Sequence, residues 1–222
     1  MPTVTSPPRR VQIGALSLDG DLTVPVQARG LVVFAHGSGS TRRSPRNQQV
    51  ARALQALGFA TLLFDLLTPG EGADRVNVFD IDLLAGRLVE AIDWVGDRPA
   101  LAPLPLGLFG ASTGAAAALR AASLRPGRVQ AIVSRGGRPD LAGDSLRRVR
   151  APTLLIVGSA DTEVLSLNQA AIERLGRKSK LCIVPGATHL FEEEGALEQV
   201  AELAGGWFTS QFPVARGRAL PA

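Results

Sequence analysis

The stretch Leu104-Pro105-Leu106-Gly107-Leu108-Phe109-Gly110-Ala111-Ser112-Thr113-Gly114, followed by Ala115-Ala116-Ala117-Ala118, decides the fold. Its first half is a continuous apolar run suited to a buried strand. Its end opens an Ala-rich segment suited to a helix. Between them stands Gly110-x-Ser112-x-Gly114. A strand that turns this sharply into a helix forces Ser112 into a strained backbone conformation. Side chains two residues before and after would collide, which glycine at 110 and 114 avoids. The turn lifts the Ser112 hydroxyl above the sheet, at a helix N-terminus where partial positive charge favours a developing oxyanion. The Thr113 amide is then the expected first oxyanion donor. Alone, G-x-S-x-G is a weak signal in a chain with 24 glycines; the strand before it and the helix after it give it weight.

Outward from this segment the chain alternates. Residues 11–18 and 21–26 read as a hairpin turning at Asp19-Gly20. Short apolar runs follow at 31–35, 61–64, 104–109, 131–133, 153–157 and 181–184, too continuous for half-exposed strands and suited to parallel strands covered on both faces. Helical periodicity fills 48–57, 81–95, 113–124, 167–175 and 195–208, with Gly58 and Gly176 as stop signals. Strands alternating with helices predict a three-layer α/β fold: an eight-stranded, mostly parallel sheet with an N-terminal antiparallel hairpin. Residues 9–212 read as one domain, flanked by frayed termini at 1–8 and 213–222. Residues 137–151 are too few for a folded lid, and 67–80 is the longest irregular connection, placed to line a site.

Composition narrows the classes. The chain has 222 residues, 45% of them hydrophobic and 20% charged, enough for a sizeable core without metal or disulfide. The single cysteine, Cys182, sits in an apolar run and reads as a small core residue. The net charge is +4, almost all from scattered arginines with few aromatics among them. Nucleic-acid binding would prefer a clustered basic stripe with stacking residues. No apolar run reaches the roughly 18 residues of a membrane span, and no secretory signal opens the chain, so a cytoplasmic location is expected. Neither nucleic acid nor membrane is expected as a partner; a homodimer stays open.

A serine hydroxyl is a poor nucleophile until a base takes its proton. There are two histidines, His36 and His189. His189 follows the last strand, in a loop at the sheet's C-terminal edge, where ligands sit in open α/β sheets. His36 is followed at once by Gly37-Ser38-Gly39-Ser40, a pattern suited to an oxyanion loop. His189 therefore reads as the base, and His36 as a structural residue holding that loop by hydrogen bonds. The acid that orients the imidazole reads as Asp161, after the 153–157 strand, which gives the chain order Ser112, Asp161, His189. Asp140, after the preceding strand, is the alternative. Glu192, Glu193 and Glu194 look like an exposed helix-start cluster.

His36-Gly37-Ser38-Gly39, Gly110-Ala111-Ser112-Thr113-Gly114, Gly158-Ser159-Ala160-Asp161 and Gly186-Ala187-Thr188-His189 together resemble the motifs of the α/β-hydrolase superfamily, and within it the dienelactone-hydrolase-like group. The resemblance runs from residue 31 to 208. It implies a Ser–Asp–His triad, hydrolysis of a carboxylic ester or related acyl bond, and no metal or organic cofactor. It also implies a second oxyanion donor in the loop after His36, by position the Ser38 amide, with Gly39 second. Dienelactone hydrolase has cysteine where this chain has Ser112, so a plain serine esterase is the expectation. Similar His-Gly-Ser-Gly and Ser-Arg-Gly-Gly-Arg-Pro-Asp segments occur in look-alikes fused to a phosphoribosyltransferase domain, which is not expected here.

The expected substrate is a small or medium ester entering an open site. Thioesters, lactones and peptides would use the same triad, and a hydrolase fold can also persist as a silent binding protein. Arg42, Arg43 and Arg46, and Arg135 and Arg138, lie at the same edge of the sheet. Arg42 and Arg135 are the candidates for holding a substrate carboxylate or phosphate.

Overall fold

The computed structural model describes residues 7–212. Eight strands form one sheet in the order β1-β2-β4-β3-β5-β6-β7-β8. They are β1 (Arg9–Ile13), β2 (Leu18–Thr23), β3 (Leu31–Ala35), β4 (Ala60–Phe64), β5 (Leu106–Ala111), β6 (Val129–Arg135), β7 (Thr153–Gly158) and β8 (Lys180–Val184). β1 and β2 pair antiparallel, as do β2 and β4. From β4 to β8 every pairing is parallel. The expected eight-stranded, mostly parallel sheet with an antiparallel start is the architecture found.

The helices are α1 (Pro45–Ala56), α2 (Pro69–Gly72), α3 (Arg75–Phe79), α4 (Ile81–Gly96), α5 (Thr113–Leu124), α6 (Thr162–Ile172) and α7 (Ala196–Gln211), with a 3-10 helix over Pro139–Arg148. Alternate strand residues serve opposite faces. Leu31, Val33 and Ala35 join α4 and α5 in one core cluster. Val32 and Phe34 join α1 and α7 in the other. Continuous apolar runs were legible as strands because both faces of the sheet are covered.

Four readings need correction, one of them the span of α6, which is Thr162–Ile172 rather than 167–175. The hairpin turns at residues 14–17, where the Ser17 amide donates to the Gly14 carbonyl at 3.2 Å and both residues take positive φ. Asp19-Gly20 lies inside β2 instead, with Gly20 opposite Val11. α1 begins at Pro45 rather than 48, because Ser44 caps it and Pro45 fills its first turn. β8 is an edge strand with Ile183 exposed, so Cys182 is only partly buried.

The connection at 67–80 carries the short helices α2 and α3. The tail expected at 213–222, and most of the fraying expected at 1–8, lie outside the described residues. Among the described residues no helix is long and apolar enough to cross a membrane.

Candidate active site

Ser112 closes β5 and caps α5 with φ 51° and ψ −122°. A non-glycine residue held in this sparsely populated region costs about 1–3 kcal/mol and persists only where its surroundings over-determine it. Those surroundings are visible. A Cβ on Gly110 would sit 2.4 Å from the Ala115 Cα, and one on Gly114 would sit 2.4 Å from the carbonyl oxygens of Ala35 and His36. The end of β3 and the start of α5 touch through the missing side chain of Gly114. Behind the turn, the Ser112 amide donates to the Arg135 carbonyl at 3.2 Å.

His189 follows β8, and its Nε2 lies 3.3 Å from the Ser112 Oγ. Its Nδ1 lies 2.7 Å from the Asp161 Oδ2. A carboxylate only accepts, so Nδ1 carries the proton and donates. Nε2 is then free to accept from the serine hydroxyl. Asp161 is the N-cap of α6 yet makes no side-chain cap bond. Its carboxylate turns to the imidazole instead. The structure thus brings together Ser112, Asp161 and His189. Asp140 is elsewhere: Arg138 holds it in a two-pronged pair at 2.9 and 2.8 Å.

The loop after β3 lies against the nucleophile, and a Cβ on Gly37 would stand 3.1 Å from the Ser112 Cβ. The turn closes by the Ser40 amide donating to the Gly37 carbonyl at 3.2 Å, so neither Ser38 nor Gly39 supplies the closing donor. Thr113 is the first residue of α5, and its amide has no intrahelical acceptor. His36 fixes the base of the loop. Its Nε2 accepts from the Leu66 amide at 3.1 Å, and its Nδ1 donates to the Gly37 carbonyl at 3.0 Å. Burial holds its pKa below the ordinary histidine range, in keeping with a neutral ring that accepts at one nitrogen.

A cavity of about 310 Å³ opens between this loop and the β4–α4 connection. Ser38 and Gly39 line its polar edge, and Leu66, Leu67, Val78 and Leu84 its apolar wall. The 67–80 segment does line a cavity, as its length suggested. The individual wall residues were not legible, because their apolar character alone does not distinguish a pocket from a core.

The two arginine candidates differ. Arg42 is a correction: its guanidinium is buried and taken up by Asp65, by Asp19 at 3.0 Å and by Asp21 at 3.4 Å. Three carboxylates occupy the place a substrate anion would need. Arg135 is also buried, at 7% exposure, but no carboxylate among the described residues pairs with it. Burial lowers its pKa to about 10, so it stays charged at neutral pH.

With that geometry in view, comparison with known proteins places the chain. The family model described as "Serine aminopeptidase, S33" matches residues 26–137. The crystal structure of a dienelactone hydrolase from Anabaena variabilis is 51% identical, with a TM-score of 0.90 over 96% of this chain and 100% of that one. Est1E from Butyrivibrio proteoclasticus, at 17% identity and a TM-score of 0.76 over 93% of this chain and 99% of that one, shares the fold. Two Mycobacterium tuberculosis proteins with the provisional name phosphoribosyl transferase are 61% identical over 199 residues. That match covers 90% of this chain but 45% of theirs, so the chain spans less than half the length of these relatives. Identity of this degree to a hydrolase of the same extent, under a hydrolase family model spanning half of the sequence, means that the chain belongs to the dienelactone-hydrolase-like group of α/β-hydrolases.

Proposed function

We propose that this chain is a serine hydrolase that cleaves a carboxylic ester of small to medium size through an acyl-enzyme intermediate. The observation that carries the reading is the relay Ser112–His189–Asp161, with contacts of 3.3 and 2.7 Å, at a serine held in a left-handed conformation. His189 takes the proton from Ser112 as its oxygen attacks the carbonyl carbon. Asp161 keeps the imidazole in the required tautomer and stabilises its charged form. The Thr113 amide and that of Ser38 or Gly39 receive the oxyanion. His189 then gives the proton to the departing alcohol, and water releases the acyl group by the reverse route. No cofactor is needed for these steps.

The 310 Å³ cavity supports the substrate size, since it lies at the lower end of ligand pockets, about 300–1,000 Å³. Its apolar wall suits an uncharged carbon chain or ring. A peptidase acting on a free amino terminus would need a carboxylate for the ammonium group. The one in this cavity's lining, Asp65, is engaged by Arg42. An ester is therefore preferred over the peptide that the matching family's name would suggest.

The test is labelling with a fluorophosphonate probe, followed by peptide mapping. Modification at Ser112 that is abolished by Ser112→Ala is the expected result. A folded protein that takes no label would remove the enzyme reading and leave the fold.

A further inference from the structure

Asn168 lies fully buried in the middle of α6, and its hydrogen bonds permit only one orientation of its amide. The Nδ2 donates to the Gly137 carbonyl at 2.9 Å and to the Val164 carbonyl of its own helix at 2.7 Å. Both partners only accept, so the nitrogen must face them. The Oδ1 is then left buried with no hydrogen-bond partner. An unpaired buried carbonyl is a standing cost to the fold, and an apolar side chain of the same size would not carry it. What the amide does provide is the bond to Gly137, across 31 residues of chain.

Gly137 belongs to the loop that leaves β6, and that loop holds the nucleophile. The Arg135 carbonyl accepts from the Ser112 amide, and the Arg138 amide donates to the Ser112 carbonyl, each at 3.2 Å. Both backbone groups of the strained serine are therefore tied to residues flanking Gly137. The same loop stands against the base. A Cβ on Gly136 would lie 3.1 Å from the His189 carbonyl oxygen and 3.5 Å from its Nδ1. Gly137 itself is wedged against β6 and α5, since a Cβ there would meet the Ser134 Oγ at 2.0 Å and the Ala115 Cβ at 2.6 Å.

The other end of the link is the acid. Asp161 is the N-cap of α6, and with no cap bond of its own its carboxylate is placed by where the helix begins. Val164, which accepts from Asn168, stands in the first turn of that helix. One side chain thus joins the helix that carries Asp161 to the loop that holds Ser112 and flanks His189.

We infer that Asn168 is a positioning residue for the hydrolytic reaction: its amide locks α6 to the Gly136–Arg138 loop and so sets the distance across which His189 takes the proton of Ser112. The inference rests on the serine-hydrolase reading for its effect on turnover. The Ser112 Oγ and the imidazole are already 3.3 Å apart, at the long end of a hydrogen bond, so a small slip of either mount would break the contact. A misplacement of about 1 Å between reacting groups costs up to about 100-fold in rate.

The test compares the wild type with Asn168→Leu, which has the size of the amide without its donor. Leucine removes the unpaired Oδ1 but leaves the Gly137 carbonyl unpaired, so its effects on stability oppose each other. On protein shown by circular dichroism to be folded, kcat for p-nitrophenyl acetate should fall about 10- to 100-fold with KM within about threefold. The rate of fluorophosphonate labelling at Ser112 should fall in step, with its final amplitude unchanged. A kcat within about threefold of the wild type overturns the inference. So does a loss confined to labelling amplitude, which would mean fewer folded molecules rather than a misaligned relay.

A proton magnetic resonance spectrum supplies a readout that stability alone does not move. The chain has two histidines, and the Nδ1–H that His189 donates to the Asp161 carboxylate gives a far-downfield resonance, identified by its disappearance in Asp161→Asn. In Asn168→Leu that resonance should shift or broaden, while any from the His36 Nδ1–H stays in place. An unchanged His189 resonance overturns the inference whatever the kinetics. If Asn168→Leu does not fold, Asn168→Ala is measured in the same way, and failure of both to fold makes the residue structural and overturns it. A wild type that takes no fluorophosphonate label would sink the hydrolase reading instead, and the spectrum would still report on the link through Asn168.

Discussion

The Nδ1 of His189 donates to the Oδ2 of Asp161 at 2.7 Å, although 28 residues separate them in the chain. The pairing depends on two loops leaving neighbouring strands, since β7 and β8 lie side by side and in parallel. The loops are also tied directly: the Ala160 amide donates to the Ala187 carbonyl at 3.0 Å, and the Gly186 amide donates to the Ser159 Oγ at 2.8 Å. Asp161 is held where it can fix the tautomer of a ring that is itself partly exposed.

Asp161→Asn should therefore lower kcat by up to about ten-thousandfold while leaving the fold in place. The amide can donate to Nδ1, which turns the proton to Nε2, the nitrogen that must accept from Ser112. Steady-state hydrolysis of p-nitrophenyl acetate measures this. A variant within a few-fold of the wild type would show that the carboxylate does not orient the base.

Gly114→Ala tests the elbow itself. The new Cβ would sit 2.4 Å from two backbone carbonyls at the end of β3, and neither can rotate away. Overpacking of this kind costs about 1–3 kcal/mol. Relief would come by moving α5 away from the β3 loop, which separates the Thr113 amide from those of Ser38 and Gly39. Chemical denaturation should show the loss of stability, and kcat should fall with it. Unchanged stability would mean that the turn has more room than its contacts indicate.

Arg42→Met should destabilise the fold by an amount at the low end of the about 3–5 kcal/mol typical of breaking a buried ion pair. Asp19 and Asp65 would then lose their bridging cation, while Asp21 keeps its pair with Arg10 at 3.1 Å, and the partial exposure of all three softens the penalty. The urea midpoint measures it. A stability equal to the wild type would indicate that water screens the three carboxylates.

The elements of the relay were legible because each carries a local signature. Gly110 and Gly114 mark the turn, and Asp161 and His189 each follow an apolar strand in the required chain order. What was not legible depends on residues distant in the chain. Arg42 looks like a free loop cation until Asp19 and Asp65, each 23 residues away, close on it. Asp19-Gly20 has turn chemistry, but Gly20 must also fit between Val11 and Phe64 of the adjacent strands, and that packing decides its place within β2. Arg135 was named as a candidate from its position, but its lack of a counter-charge is visible only in three dimensions.

His36 sets a pH dependence of stability distinct from that of turnover. Burial holds its folded pKa below the unfolded value, so the unfolded chain binds the proton more readily. Stability is then greatest above the unfolded histidine pKa, about 6.5, and declines as pH falls through it toward the lower folded value. Protonation would also put a hydrogen on Nε2, the nitrogen that accepts from the Leu66 amide, and so release the base of the Gly37–Ser40 turn. Asp19, Glu71, Asp93 and Glu193 have lowered pKa values too, but their contributions are lost only at more acid pH. Between about pH 7.5 and 5.5 the wild type should lose more stability than His36→Gln, whose amide oxygen can still accept from Leu66 but takes up no proton. Urea midpoints at the two pH values give the comparison, and equal declines in both proteins would mean that His36 is not the group responsible.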